Sequence, residues 1–148
     1  MAHWIYEGQP VTELPENVCG FVYEIKNLTN NKKYIGRKYT QSTTRKPLTK
    51  KQKESGRVRR DVVKKESNWK TYTGSNKQLN EDIKLLGKEN FYFEILYFAE
   101  TKGQINYIEV NLQHKKDVIL REDYYNDAIG SKDFVALRGN ESLKKLLL

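Results

Sequence analysis

The chain of 148 residues has one cysteine, Cys19, two histidines, His3 and His114, and only three prolines. A single thiol excludes a disulfide framework, and two histidines so far apart with one cysteine give no zinc-ligand spacing. No apolar run approaches the roughly 20 residues that a membrane-spanning helix needs. The opening stretch MAHWIYEGQPVTELPENVCG lacks the basic-then-apolar order of a signal peptide. These absences predict a soluble, cytoplasmic protein with no membrane partner. With 37% hydrophobic and 31% charged residues, the chain has material for one compact core, so a single domain over 1–148 is expected.

What the sequence does have is positive charge in one place. The formal net charge is +8, from 27 Lys+Arg against 19 Asp+Glu. Between Arg37 and Lys77 there are 14 basic residues and three acidic ones, Glu54, Asp61 and Glu66. Outside that segment the balance is slightly acidic. Cations concentrated in one stretch neutralise phosphates and release counterions, which gives affinity for a polyanion whatever its sequence. Nucleic acid is the expected partner. Arg37, Lys50, Lys51, Lys53, Arg57, Arg59, Lys64, Lys65 and Lys70 are the candidate contacts. A solvated loop or an anionic-membrane patch is the alternative, and Trp69, Tyr72 and the lack of a basic amphipathic helix speak against membrane.

The periodicities predict an α+β order. CGFVYEIKN puts Phe21, Tyr23 and Ile25 on one face of a strand, LTNNK supplies turn formers, and KYIGRK returns as the second strand of a hairpin. From Thr40 to Ser67 the chain is polar and basic, with Pro47 and Gly56 as breakers and a short helix expected over Val58 to Lys65. SNKQLNEDIKLLG has Ser75 and Gln78 at capping-box spacing, a stripe of Leu79, Ile83 and Leu86, and Gly87 as a stop. FYFEILYF, 91–98, reads as a buried strand. Thr101 and Gln104 repeat the capping spacing before a helix with Ile105, Ile108 and Leu112 as its stripe. The expected architecture is a three-stranded antiparallel sheet flanked by helices. Its core spans about 19–130, with a basic insert over about 39–70 and a tail over 131–148 adding a helical turn against the core.

Taken singly, Tyr23 and Tyr34 are ordinary strand tyrosines. Their placement on successive strands of one hairpin, as FVY and YIG, resembles the GIY-YIG nuclease family, with Gly20 just before a motif in which FVY replaces GIY. The resemblance covers about residues 19–130 and looks most like small phage-encoded, homing-type members. It places Glu109 of INYIEVNLQ at the position of the family's metal-binding helix glutamate, and Asn126 of YYN at that of its loop asparagine. The family's arginine, soon after YIG, has three competitors here, Arg57, Arg59 and Arg60, of which Arg60 is preferred. Arg37 or Lys38 beside the hairpin share the work. No histidine lies between Tyr34 and Glu109, so Tyr72 of NWKTYTGSN stands in for the family's histidine.

The resemblance implies a DNA endonuclease, homing- or restriction-like, acting in the host cytoplasm if phage-encoded. It also implies one Mg2+ (or Mn2+) on Glu109 and double-stranded DNA as partner. A dimer or partner protein would serve double-strand cleavage. Tyr23 or Tyr34 is expected to take a proton from water, which requires nearby positive charge because a phenol titrates near 10. Arg60 would hold the non-bridging oxygens and Asn126 would position the backbone. The alternative from another class is a non-catalytic nucleic-acid-binding protein that uses the same basic surface, since binding alone needs only cations and stacking aromatics.

Overall fold

The fold begins earlier in the chain than the hairpin. In the computed structural model, which describes residues 3–130 and 134–148, the first elements are the two-residue strands β1 (Ile5–Tyr6) and β2 (Gln9–Pro10). The hairpin follows as β3 (Gly20–Asn27) and β4 (Lys33–Tyr39). Next come β5 (Gln41–Arg45), the short helix α1 (Lys50–Glu54) and β6 (Val62–Glu66). Helix α2 (Lys77–Leu86), strand β7 (Phe91–Ala99) and helix α3 (Lys102–Lys115) complete the main layers. A small pair, β8 (Ala128–Ile129) and β9 (Phe134–Val135), precedes helix α4 (Glu141–Leu147).

The sheet is mixed and five-stranded, in the order β2-β1-β7-β3-β4, which corrects the three-stranded antiparallel expectation. Strand β3 runs antiparallel to both its neighbours, β7 and β4, but β1 joins β7 in parallel and brings β2 with it. Two-residue strands carry no readable period, which is why the sequence pattern missed them. The tryptophan before them gave the better signal, since Trp4 is fully buried.

Each face of the sheet has its own core. On one, Phe21, Tyr23, Ile25, Phe91, Phe93 and Ile95 meet Trp4, Trp69, Leu79 and Ile83; on the other, Val22, Ile35 and Ala99 meet Ile105, Val118, Ile119, Tyr124 and Ile129. A register shift between Val22 and Tyr23 lets Leu96 slip out of the β3–β7 pairing. Such a bulge reverses the in-and-out alternation beyond it. Phe98 therefore joins the first core and Ala99 the second. Gly20 is required where α3 approaches β3 and β4: a Cβ there would lie 2.5 Å from Ile105 Cδ1 and 2.6 Å from the Lys38 carbonyl.

Helix α2 is capped by Asn76, whose Oδ1 accepts from Leu79 N–H at 2.9 Å. Ser75, expected to cap it, instead meets the Tyr34 hydroxyl at 3.0 Å. Helix α3 begins at Thr101 as expected, with Gln104 N–H bonded to the threonine hydroxyl at 3.1 Å. Residues 62–65, expected in a helix, belong to strand β6, which pairs antiparallel with β5; the helix in this region is α1, which begins and ends before Val58. At the C-terminus α4 forms but buries no residue, because its leucines do not reach the core. Arg138 ties that end down instead, donating to the carbonyls of Val118, Arg121, Tyr124 and Asn126 at 2.6–2.9 Å. Residues 131–133 of the tail lie outside the described residues.

Trp4 holds the N-terminal segment to the rest of the molecule. Its ring lies 4.9 Å from that of Tyr23 and 5.1 Å from that of Phe21, and its indole N–H donates to the Trp69 carbonyl at 2.6 Å. Truncating a buried aromatic of this size costs about 3–5 kcal/mol, and here it also frees the 69–72 turn. Trp4→Ala is expected to lose that much stability in urea unfolding; a loss below about 1 kcal/mol would show that the segment is not part of the core.

Candidate active site

The site is built on the free edge of β4. An edge strand presents backbone groups that its single neighbour cannot satisfy. Here Lys33 exchanges backbone bonds with the chain at 123–125, its N–H donating to the Asp123 carbonyl at 2.9 Å and its carbonyl accepting from Tyr125 N–H at 2.7 Å. Two residues on, side chains take over. Ile35 N–H donates to Asn126 Oδ1 at 3.1 Å, and the Ile35 carbonyl accepts from Asn126 Nδ2 at 2.8 Å and Gln113 Nε2 at 3.0 Å. Asn126 thus has both amide atoms engaged by one backbone unit and acts as a peptide would. Past Ile35 the edge is uncovered, and there a polar cleft of about 670 Å³ opens.

Three phenols enter this cleft from one side of β4. Tyr23, buried on β3, pairs in register with Gly36, and the missing side chain at Gly36 is what lets its hydroxyl reach the edge. A Cβ on Gly36 would stand 2.5 Å from that hydroxyl oxygen and 2.9 Å from the Tyr34 ring. The Tyr23 ring is 6.2 Å from Tyr34 and 6.1 Å from Tyr72. Tyr72 is held from behind by the N-terminal segment, with His3 Nε2 2.8 Å from its carbonyl oxygen.

Glu109 and Arg37 come from the other side. Glu109 lies between Ile105 and Gln113 on the buried stripe of α3, so the stripe turns from apolar to polar as it reaches the cleft. Its carboxylate accepts from Arg37 Nη1 at 3.2 Å, and the same nitrogen donates to Asn106 Oδ1 at 2.7 Å. The Glu109 side chain is 11% exposed and that of Arg37 39%, so the guanidinium keeps donors facing outward. Gln113, with Nε2 spent on Ile35, leaves a buried Oε1 without a protein partner.

Burial pushes Tyr23, Tyr34, Glu109 and the neighbouring Lys38 toward their neutral forms. Desolvation, with Tyr34 and Tyr72 alongside, holds the Tyr23 phenol well above its ordinary value. Desolvation also raises Tyr34, opposed by its hydrogen bond to Ser75. Glu109 is raised by burial, opposed by Arg37, and burial lowers Lys38. The cations that sequence reasoning expected to favour phenolate do not do so in the protein by itself.

The cleft gathers Tyr23, Tyr34, Arg37, Tyr72, Glu109 and Asn126 from the sequence-derived candidates, and adds Ser75, Asn76, Lys77, Gln113 and Asp127. Lys38 stands one strand position away, its ammonium 4.1 Å from the centre of the Tyr72 ring. Arg60 is not in the cleft: it lines a separate recess with Arg45, Val58, Arg59 and Val62. Arg57 is paired with Asp61. Lys50, Lys51 and Lys53 are exposed on α1, Lys64 and Lys65 on β6, and Lys70 in the following turn. Sequence reasoning gave Arg37 to nucleic-acid contact, and to Arg37 or Lys38 a share of the family arginine's work, but did not foresee the pairing of Arg37 with Glu109. Gln113 was legible only as one helical turn beyond Glu109, and Arg138 carried no signal. Among the described residues no three of His, Cys, Asp and Glu gather, and no helix is long and apolar enough to cross a membrane.

A small α+β layer in which hairpin tyrosines, a helix glutamate and a loop asparagine converge on one cleft, beside a basic arm, has the constitution of a nuclease domain. The chain matches the family described as "Putative endonuclease segE, GIY-YIG domain" over residues 4–129, and it belongs to that family. It therefore carries a GIY-YIG endonuclease domain, for which DNA is the implied substrate. No curated protein and no solved structure matches it.

Gly36→Ala tests the geometry of the phenols. The added methyl overlaps the Tyr23 hydroxyl and cannot be accommodated without moving a buried ring, so a loss of about 1–3 kcal/mol is expected in urea unfolding. Unchanged stability would mean that Tyr23 does not cross the β4 edge at Gly36.

Proposed function

We propose that this chain is a metal-dependent endonuclease that hydrolyses phosphodiester bonds in duplex DNA, with a phage origin and a homing- or restriction-like role. The observation that carries the reading is the convergence of Glu109, Arg37 and three phenols in one cleft, with a belt of lysines and arginines next to it. Binding alone calls for the belt and not for a buried carboxylate among phenols.

The donor set fits a hard divalent ion. It offers two carboxylates, Glu109 and Asp127, the second already accepting from Asn76 Nδ2 at 3.1 Å, and one unpartnered amide oxygen, Gln113 Oε1, with no thiol or imidazole among the lining residues. Mg2+ or Mn2+ keeps most of its waters and needs few protein oxygens. When bound, such an ion supplies Lewis-acid stabilisation of the leaving oxygen and positive charge beside the phenols.

The chain's own residues do the rest. Arg37, anchored on Glu109 and Asn106, turns its outward donors to the non-bridging phosphoryl oxygens, the role that the sequence gave to Arg60. Tyr34 is the better proton acceptor of the hairpin pair, being half-buried and hydrogen-bonded to Ser75, whereas Tyr23 is buried and held further from ionisation. Tyr23 packs against both the Tyr34 and Tyr72 rings and so fixes the Tyr34 ring, while the Tyr34 hydroxyl stays open to the cleft. Lys38, over the Tyr72 ring, adds positive potential at the mouth. Asn126 keeps the edge of β4 in place. With one such cleft among the described residues, breaking both strands of a duplex takes two copies of the chain, a partner protein or two successive nicks.

Two experiments test the reading. On supercoiled plasmid with Mg2+ the parent is expected to nick, and Glu109→Gln to nick roughly 10²- to 10⁴-fold more slowly. The isosteric amide relieves the desolvation cost of the carboxylate but gives up its charge on Arg37, whose side chain is 39% exposed, so thermal stability in EDTA should change little. A parent that shifts plasmid without nicking it is a binder; a Glu109→Gln variant that nicks at the parent's rate removes Glu109 from the chemistry.

The second is a pH profile. Because burial raises the Tyr34 phenol, its phenolate fraction grows about tenfold per pH unit below its own value, and the nicking rate should follow over about pH 6–9. Tyr34→Phe keeps the ring, and should lower the rate and flatten this slope. A slope unchanged in the variant would assign the base elsewhere.

A further inference from the structure

Strands β5 and β6 form a two-stranded ribbon of their own, separate from the main sheet. A ribbon of two strands is marginal in water unless one face is covered, yet of the residues whose exposure is described in β5 and β6 only Val63 is even partly buried. The chain therefore maintains a pair of strands with no core beneath it. Its root, by contrast, is firmly fixed. Thr40 is buried, with N–H on the Cys19 carbonyl at 3.0 Å, and Ser67 closes the other side with N–H on the Thr40 carbonyl at 2.9 Å and its hydroxyl on the Tyr39 carbonyl at 2.6 Å.

The root also adjoins the cleft. Arg37 and Tyr72 line the catalytic cleft and a second groove that runs on past Lys38 and Tyr39 to Gln41, Ser42 and Ser67. A phosphate strand lying in the first is led along the second to the foot of the ribbon. Alternation along the paired strands puts Gln41, Thr43 and Arg45 on one face with Val62, Lys64 and Glu66 opposite them. The other face carries Ser42 and Lys65. Five residues of strand extend about 17 Å, and the major groove of B-DNA, about 12 Å wide, admits a two-stranded ribbon. The loop at its tip, with Lys46, Lys50, Lys51, Lys53, Arg59 and Arg60, supplies cations for the flanking phosphates.

We infer that the β5–β6 ribbon enters the major groove of duplex DNA and reads base edges with Gln41, Thr43 and Arg45, making it the element that sets where the chain cuts. The inference rests on the proposed action on duplex DNA. Cations alone would make the ribbon a phosphate binder, but this face mixes one arginine with an amide and a hydroxyl. Those are groups that pair with guanine, with adenine and with either base. Such pairing needs an exposed, regular scaffold fixed at its base, which is what Thr40 and Ser67 provide.

The test reads binding without cleavage. The full chain in EDTA selects from a random duplex library, alongside Gln41→Ala/Thr43→Ala/Arg45→Ala and, for the reverse face, Ser42→Ala/Lys65→Ala. The parent is expected to enrich a motif. The first variant should lose its preference at two or three adjacent base pairs, with about a 10-fold or greater loss of discrimination at the arginine-read pair. The reverse-face variant should bind all sequences more weakly while selecting the same motif. Substituting 7-deazapurines, which lack the N7 acceptor of the major groove, at the affected pairs should reproduce the loss in the parent. A parent that selects no motif, or a first variant that selects the parent's motif, overturns the inference. Because no arm depends on hydrolysis, a chain that reads sequence but fails to nick plasmid in Mg2+ would overturn the nuclease reading and leave the ribbon's role standing.

Discussion

One backbone unit on an edge strand organises the site. The N–H and carbonyl of Ile35 point away from the sheet, and Asn126 and Gln113 satisfy them with side-chain amides. Had a sixth strand taken this place, it would have continued along β4 and covered Gly36 and Arg37. Side-chain amides satisfy a single residue and then stop, so the edge is closed at Ile35 and open two residues later. The same bonds bring α3 and the 124–127 segment against β4, which sets Glu109 opposite Arg37. Arg138 secures that segment by its carbonyls. The cleft is thus a consequence of how an unfinished edge is satisfied.

The elements with a strong local signal were legible in the sequence. The β3–β4 hairpin, α2, β7 and α3 each have a hydrophobic period, a cap or a glycine stop, and local preference agrees with the fold there. Other parts depend on partners distant in the chain. Strands β1 and β2 are too short for a period and exist because β7 offers an edge. The β6 segment, VVKKE, is a strand because β5 pairs with it, and with almost nothing buried there is no alternation to read. Ser75 and Asn76 are both good caps, and tertiary structure decided between them: Asn76 also donates to the Tyr125 carbonyl at 2.8 Å, while Ser75 was left for Tyr34.

The site residues divide on the same line. Tyr23, Tyr34, Glu109 and Asn126 were found through their order along the chain, a property of sequence. Arg37 was named for its charge but its pairing with Glu109 was not foreseen, because that pair joins positions 72 apart. The preference for Arg60 followed the resemblance, which places an arginine after YIG without saying which of the arm's three. A cleft is chosen by proximity, and Arg37 is the arginine next to Gly36, where the edge opens.

Burial is the leading cause of the shift at Tyr23, Tyr34, Glu109 and Lys38, and in each case it favours the uncharged form. The folded chain bears a desolvation cost for each of these groups that it keeps ionised, which Arg37 offsets in part at Glu109. Arriving phosphates bring negative charge that favours protonated lysine and arginine, and a divalent cation favours carboxylate and phenolate. Each partner therefore stabilises the ionised groups that the other requires, and neither alone stabilises the full set. Under the proposed reading, a cleft so arranged would favour substrate and ion together over either one alone.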